Sequence, residues 1–374
     1  VCIMRLFAFM TIMIGSFIFA PLHANDAAES LSNIELSALV MNPKQALPAR
    51  IQAFRQLYPE MDGTVTRSIC VWDPIGKNGP IYNLALDRTA LMMQLGMSID
   101  LKAYTNEGVL TEDLKAGQCD AALFTGLRAR SFNRYTGTLD ALGALPDSEH
   151  MHLIMRAITS PKAASKMVEG QFVVMGYAPL GAVYLFVNDR RINTLADVAG
   201  KRFAVMDYDN QQVKMVARLG AQPIPTAIVN IGSKFNNRGV DILPAPLVAY
   251  SVMELYKGLG AEGGIISYPF FQMTLQLVGH ADKFPNEFSQ LVREELMDLY
   301  FDIETVVNAQ VGDIPQRLWI PVPEEKMTEY QSIMQSARVT LRDEGYYDPD
   351  MLSLARKVRC KFSPTSFECT NPVE

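Results

Sequence analysis

Apolar positions along the chain come in short runs cut by Gly, Pro and Asn, and the runs carry two different periods. Ser68 to Trp72, Ile99 to Tyr104 and Cys119 to Gly126 are brief and bounded by turn residues, which predicts strands. Between the first two, Ile81, Leu84, Ala85, Leu86, Ala90, Leu91, Met92 and Leu95 recur at helical spacing and stop at Gly96. Pro80 stands where a first helical residue tolerates a missing N–H. Thr111 is placed to cap a further helix through Leu114 that ends at Gly117. Strand, helix, strand, helix, strand predicts a parallel sheet with right-handed crossovers.

The same grammar returns at residues 192–209, around which the rest of the chain is organised. Thr194 suits the cap of a single turn carrying Leu195, Ala196 and Asp197, and Gly200 supplies the permissive backbone that ends it. Phe203 to Met206 makes a short apolar strand with Asp207, Tyr208, Asp209 and Asn210 at its carboxyl end. Phe172 to Met175, Val183 to Val187 and Ala227 to Asn230 also read as strands. Gln211 to Leu219, Tyr250 to Leu259, Phe270 to Gly279, Phe288 to Phe301 and Lys326 to Gly345 read as helices, the last with clear 3.6-residue periodicity. His150 and His152 alternate along a strand-like run and so share one face. With no third ligand in view they are expected to be structural, and no metal or other cofactor is expected.

Open α/β sheets hold ligands at the carboxyl ends of their strands, and that rule selects the candidate residues. They are Trp72, Asp73 and Asn78 after the first strand, Thr125 and Arg128 after the third, and Asp207, Tyr208 and Asp209 after the central one. Ser267 and Tyr268 join them, because a Pro269-terminated tip is expected to cross back towards the cleft. The loop from Asp73 to Pro80 is a place where backbone N–H groups meet an anion, although it matches neither a dinucleotide fingerprint nor a P-loop. Arg128 is suited to grip a carboxylate with two hydrogen bonds, whereas Arg130 and Arg134 read as solvated helix surface. No G-x-S-x-G or H-E-x-x-H occurs, which argues against an exported hydrolase.

Composition and the amino terminus set the compartment. Arg5 and the apolar run Leu6 to Ala20, followed by small residues up to Ala24, predict a cleaved signal peptide over 1–24, with Met4 as the working start. The remaining residues carry 33 basic and 40 acidic side chains, a net charge of −7, which does not fit a nucleic-acid binder. Cys70, Cys119, Cys360 and Cys369 then form an even set for an oxidising compartment. Local spacing favours pairing 70–119 and 360–369, one of three pairings open to four cysteines.

The signal, the Cys70–Gly79 strand-loop, the Gly117–Arg130 step and Leu195–Asp209 together resemble AdeT-like solute-binding proteins. Members of that group are described as components of RND-type efflux involved in aminoglycoside resistance. More distantly the chain is similar to substrate-binding subunits of TRAP transporters. The resemblance implies an α/β fold of the two-lobed periplasmic binding-protein kind (type II), each lobe a mostly parallel sheet flanked by helices. It implies a helical extension over 25–66, lobe I over 67–182, lobe II over 183–266, and a crossing, return and bracing segment with a disulfide tail over 267–374. It also implies a monomeric periplasmic carrier that captures a small molecule between the lobes and delivers it to membrane transporter subunits. An efflux accessory and an exported hydrolase are the alternatives. In TRAP binding proteins a carboxylate-holding arginine stands inside the strand after the Asp-Val-x-Gly turn. Here that position is Ala204, with Arg202 two residues earlier. The expected ligand is therefore either a carboxylate or a cationic or polyhydroxylated compound facing Asp73, Asp207 and Asp209.

Overall fold

The structure, a computed structural model, describes residues 31–61, 65–309, 311 and 314–374. The signal segment 1–24 lies outside the described residues. Three strands, β1 (Val65–Trp72), β2 (Met97–Tyr104) and β3 (Ala121–Thr125), pair in parallel with β1 in the middle. A second parallel set is built from β5 (Arg202–Met206), β6 (Gln222–Thr226) and β7 (Ile242–Pro246). Two long strands join the sets. The first is β4 (Phe172–Val187), 16 residues of nearly unbroken apolar sequence, as a strand covered on both faces requires. The other, β9 (Phe271–His280), is reached from the short β8 (Gly264–Ile266). The strand order is β2-β1-β3-β9-β4-β7-β5-β6, with β8 paired to the end of β4.

Val183 is the point where β4 changes partner. It faces Phe271 of β9 on one side and Pro246 of β7 on the other. Before it β4 runs in lobe I against β9, and after it in lobe II against β7. The chain therefore passes between lobes once along β4 and returns through residues 267–270 into β9. Lobe I is filled by two apolar clusters that include Phe124, Met151, Val174 and Leu275, and Phe54, Val71, Phe284 and Phe288. Lobe II is filled by clusters around Val187, Phe203 and Ile242, and around Phe186, Phe235 and Leu243. The amino-terminal helices Asn33–Val40 and Leu47–Leu57 pack on lobe I, where Arg50 pairs with Glu294 at 2.6 Å.

The helix Glu324–Asp343 braces both lobes: Tyr330 packs in a lobe II cluster, while Met334 and Leu341 pack in lobe I. Its Arg338, 1 % exposed, gives three hydrogen bonds, to the Leu142 carbonyl, Glu368 and Glu374. Arg359 adds bonds to Glu368 and Glu374, so two buried cations and two carboxylates seat the tail. Disulfides join Cys70 to Cys119 and Cys360 to Cys369.

Several elements differ from expectation, each for a local reason. Residues 270–279, read as helix, form β9. Its Gln272, Thr274 and Gln276 alternate with Phe271, Met273, Leu275 and Leu277, and all three polar side chains are buried and hydrogen-bonded. The run holding His150 and His152 is not a strand but the helix Ser148–Thr159, capped by Asp147, with Met151, Ile154, Met155 and Ile158 buried at helical spacing. The two histidines then part: His150 bonds Asp147 at 2.7 Å, and His152 packs on Tyr300 and Phe301. The strand expected at 227–230 is displaced to β6. Its two prolines are tolerated because β6 is the sheet's edge, and residues 228–236 turn helical. Asn106, not Thr111, caps the helix Glu107–Lys115. The single helix expected at 250–259 is two short turns, 249–252 and 256–259. Thr194 donates to Asp197 at 2.7 Å instead of capping the turn, and Gly200 has the φ of 75° that ends it.

The two disulfides close loops of 49 and 9 residues. On loop entropy, replacing both cysteines of the first pair by serine is expected to cost about 4 kcal/mol, and of the second about 2.6 kcal/mol. Urea denaturation of the two double variants checks the order.

Candidate functional site

The carboxyl ends of β1 and β3 meet those of β5 and β7 where the lobes face each other. Asp73, at the end of β1, is fully buried. Its Oδ1 accepts the Ile75 N–H at 2.8 Å, and its Oδ2 accepts those of Ile81 and Tyr82 at 2.8 and 3.0 Å. The anion expected in the Asp73–Pro80 loop is thus the chain's own carboxylate, capping the helix Pro80–Asp87. Gly79 permits the approach, since a Cβ there would lie 1.8 Å from Asp73 Oδ1.

Beyond β3, Thr125 caps the turn Gly126–Ala129. The Thr125 N–H is accepted by Glu107 Oε1 at 2.7 Å. Burial pushes the Glu107 carboxyl above its ordinary range, against the pull of Thr125 and Arg128. Arg128 Nε lies 3.8 Å from Glu107 Oε2, and its guanidinium stands 3.3 Å from the centre of the Tyr208 ring. Tyr208 belongs to the tip of β5, so a lobe I cation rests on a lobe II aromatic face. Glu107 Oε2, Arg128 Nε and the Tyr208 hydroxyl are buried without a hydrogen-bond partner among the described residues.

Arg130 overturns the expectation of a solvated surface residue: its side chain is 8 % exposed. Nε and Nη2 donate to the Gly137 carbonyl, Nη1 donates to the Tyr346 hydroxyl, and Asp209 lies 3.9 Å away. Asp209 Oδ2 accepts from the Tyr346 hydroxyl at 2.5 Å, while its Oδ1 caps the helix Asn210–Arg218 through Gln211 and Gln212. A second lobe-to-lobe contact is therefore ionic and fully engaged. Beside it Asp140 accepts from the Thr274 hydroxyl at 2.6 Å and from the Thr274 N–H at 3.2 Å. Burial pushes the Asp140 carboxyl up to about 7, with Thr274 and Arg130 opposing.

Two adjoining cavities lie at this junction. The larger, about 900 Å³ out to its mouth, runs from Trp72, Pro74 and Ile81 of lobe I to Met206, Ile228 and Met253 of lobe II. The other, about 650 Å³, is lined by Arg130, Asp140, Gln211, Gln212 and Tyr346, and shares Met206, Pro244 and Met273 with the first. Ala204 lines the second cavity, and Arg202 is held by Asp241 at 2.6 and 3.0 Å. Of the sequence candidates, only Trp72 lines either cavity. Arg128, Tyr208, Asp209 and Thr125 lie at the lobe junction. Asn78, Asp207 and Ser267 are exposed, and Tyr268 packs on Tyr330 beside the bracing helix. The apolar lining from Ile228 to Met253 and the pair Arg130–Tyr346 were not among the candidates. The alternation through Gln272, Thr274 and Gln276 carried a signal for the Asp140 partner alone.

Two lobes, joined through β4 and facing each other across a cavity, have the architecture of a solute-binding protein. A family model for Solute-binding protein AdeT 1/2 matches residues 91–374, and the chain belongs to that family. It is 42% identical over 299 residues to "Probable solute-binding protein AdeT1" of Acinetobacter baumannii, covering 80% of this chain and 98% of that one. To "Probable solute-binding protein AdeT2" of the same organism it is 21% identical over 236 residues, covering 62% and 98%. Among solved structures, a TRAP periplasmic solute binding protein from Desulfovibrio salexigens with bound orotic acid has a TM-score of 0.66 at 14% identity, covering 79% of this chain and 99% of that one. The sugar acid binding protein DctPAm from Advenella mimigardefordensis, in complex with galactonate, has a TM-score of 0.62 at 14% identity over the same shares. These two likenesses establish the fold.

The Asp140 carboxyl holds its proton more tightly folded, to about 7, than at its ordinary value of 3.8. Between those pH values the folded chain keeps a proton that the unfolded chain releases, so this group's contribution to stability is lost as pH rises to about 7. Asp140→Asn is expected to remove that slope, on the order of a few kcal/mol, in melting temperatures compared between pH 5 and pH 8.

Proposed function

We propose that the chain is an exported, non-enzymatic carrier that closes on a small molecule between its lobes and presents it to membrane transporter subunits. The observation that carries this reading is that each junction cavity is walled from both lobes. The larger takes Trp72 and Ile81 from one side and Ile228 and Met253 from the other, so occupancy and lobe closure are coupled. Arg128 on Tyr208, and Arg130 with Tyr346 on Asp209, are contacts that form only when the lobes meet. They are few and local, as a hinged binder needs if the open state is to lie within a few kcal/mol.

A periplasmic site of action fits the family, and no helix among the described residues is long and apolar enough to cross a membrane. A single copy suffices for closure, so a monomer is the working form. The relatives of known structure were solved with small acids such as orotic acid and galactonate. For this chain a cationic ligand held by Asp73 and Asp209 finds little support, because both carboxylates are already engaged by backbone N–H groups.

The test combines a thermal-shift panel of acids, amines, sugars and apolar compounds with small-angle scattering on the protein without its first 24 residues. A bound solute at a hundred times its Kd is expected to add about 2.7 kcal/mol of stability. It should also shrink the radius of gyration and emerge chemically unchanged. Conversion of the compound, or stabilisation with no change in radius, would contradict the carrier reading. Arg128→Ala is expected to weaken solute-dependent closure by removing its contact with Tyr208, and scattering at saturating solute checks that.

A further inference from the structure

We propose that the solute of the larger cavity is a predominantly hydrocarbon molecule, not a sugar acid or dicarboxylate. This rests on reading the junction between the lobes as the solute site. Twenty-one residues line that cavity, and not one has a charged, hydroxyl or amide side chain. Four are prolines, at 74, 80, 244 and 246, which bring no backbone N–H either. The single side-chain N–H or O–H in the lining is the indole N–H of Trp72. Trp72 is 4 % exposed, and its Nε1 is buried with no partner. That N–H exposes essentially no area to the cavity, so the surface offered to a solute is almost wholly hydrocarbon.

Recognition by that lining follows from ordinary desolvation. A sugar acid carries several hydroxyls and a charge, and each hydroxyl stranded against Leu, Ile, Met and Pro side chains costs about tenfold to a hundredfold in affinity. A neutral molecule with an aromatic or aliphatic body and at most one weak acceptor strands little there. The cations that could hold an acid are engaged elsewhere: Arg202 by Asp241, and Arg130 by Gly137 and Tyr346. Arg128 is not in the lining. Apolar packing extends further, because a second apolar cavity within lobe I shares Leu84, Leu275 and Ile303 with the first.

The experiment titrates the protein without its first 24 residues with 4-phenylbutan-2-one, butylbenzene, D-glucuronate and succinate. Melting temperature and tryptophan fluorescence are read on wild type, Trp72→Phe and Val306→Asp. Val306 lines the cavity at its rim and is 39 % exposed, so a charge there should not disturb folding. The proposal expects the ketone to raise the melting temperature and change Trp72 emission while both acids do nothing. It expects Val306→Asp to weaken the ketone at least tenfold with the ligand-free melting temperature unchanged. Trp72→Phe should abolish the ketone-dependent emission change, which then belongs to Trp72 and not to Trp319. Stabilisation by glucuronate or succinate without the ketone would overturn the ligand class while leaving the solute-binding reading standing. No shift with any of the four would count against both. Ketone binding indifferent to Val306→Asp, or an emission change that survives Trp72→Phe, would overturn the cavity assignment.

Discussion

The antiparallel pairing of β4 with β9 is the constraint on which the architecture turns. β4 is longer than one lobe needs, and both strands are buried along most of their length. Val183 sits where β4 leaves β9 for β7, so the ladder itself carries the chain from lobe to lobe. β3 pairs with β9 and β7 with β4, both antiparallel, and these two ladders tie the parallel sets β1 to β3 and β5 to β7 to that pair. Irregularities in the pairing fall between Met273 and Thr274 and between Leu277 and Val278. Such bulges bend and twist a ladder without breaking it. The helix Glu324–Asp343 adds a second tie, anchored on the buried Arg338.

Given that frame, the chemistry of the junction follows from which polar groups the backbone has already used. Helix starts at 80, 126 and 210 each need acceptors for free N–H groups, and Asp73, Thr125 and Asp209 supply them. These are side chains that a strand-tip rule would offer to a ligand. Their commitment to capping leaves the larger cavity to Trp72, methionines, prolines and branched aliphatics. Ionic groups remain nearby, but as lobe-to-lobe contacts: Arg128 on Tyr208, Arg130 with Asp209 and Tyr346. The lining of the larger cavity and the lobe-to-lobe contacts are thus different residues.

Much of the fold is legible in the chain because local signals agree with the tertiary answer. β1 is apolar towards its carboxyl end, the turn after Thr194 ends on a left-handed Gly200 just before β5, and the last long helix keeps its 3.6-residue period. Cys70 lies within β1 and Cys119 just before β3, Cys360 and Cys369 lie across a short loop, and both pairs form as spacing favours. The misreadings share a cause, apolar content outweighing period. In 271–280 the polar residues sit at every second position and are buried against Asp140, Thr136 and Pro146, so a strand carries its hydrogen-bonding face inward. In 148–159 the opposite holds, an i, i+3, i+4 set under a run that looks alternating. Arg130 is invisible to local reasoning: its burial depends on Tyr346, more than two hundred residues away. The lining from Ile228 to Met253 is equally nonlocal, since nothing in those residues marks them as facing Trp72 across a gap.

The claim that a solute is held between the lobes is tested most directly by hydrogen–deuterium exchange on the protein with and without a stabilising compound. Protection is expected to rise together on residues 80–87 of lobe I and on 228–236 and 249–252 of lobe II, at one ligand concentration. Protection confined to one lobe, or appearing only away from the junction, would contradict it.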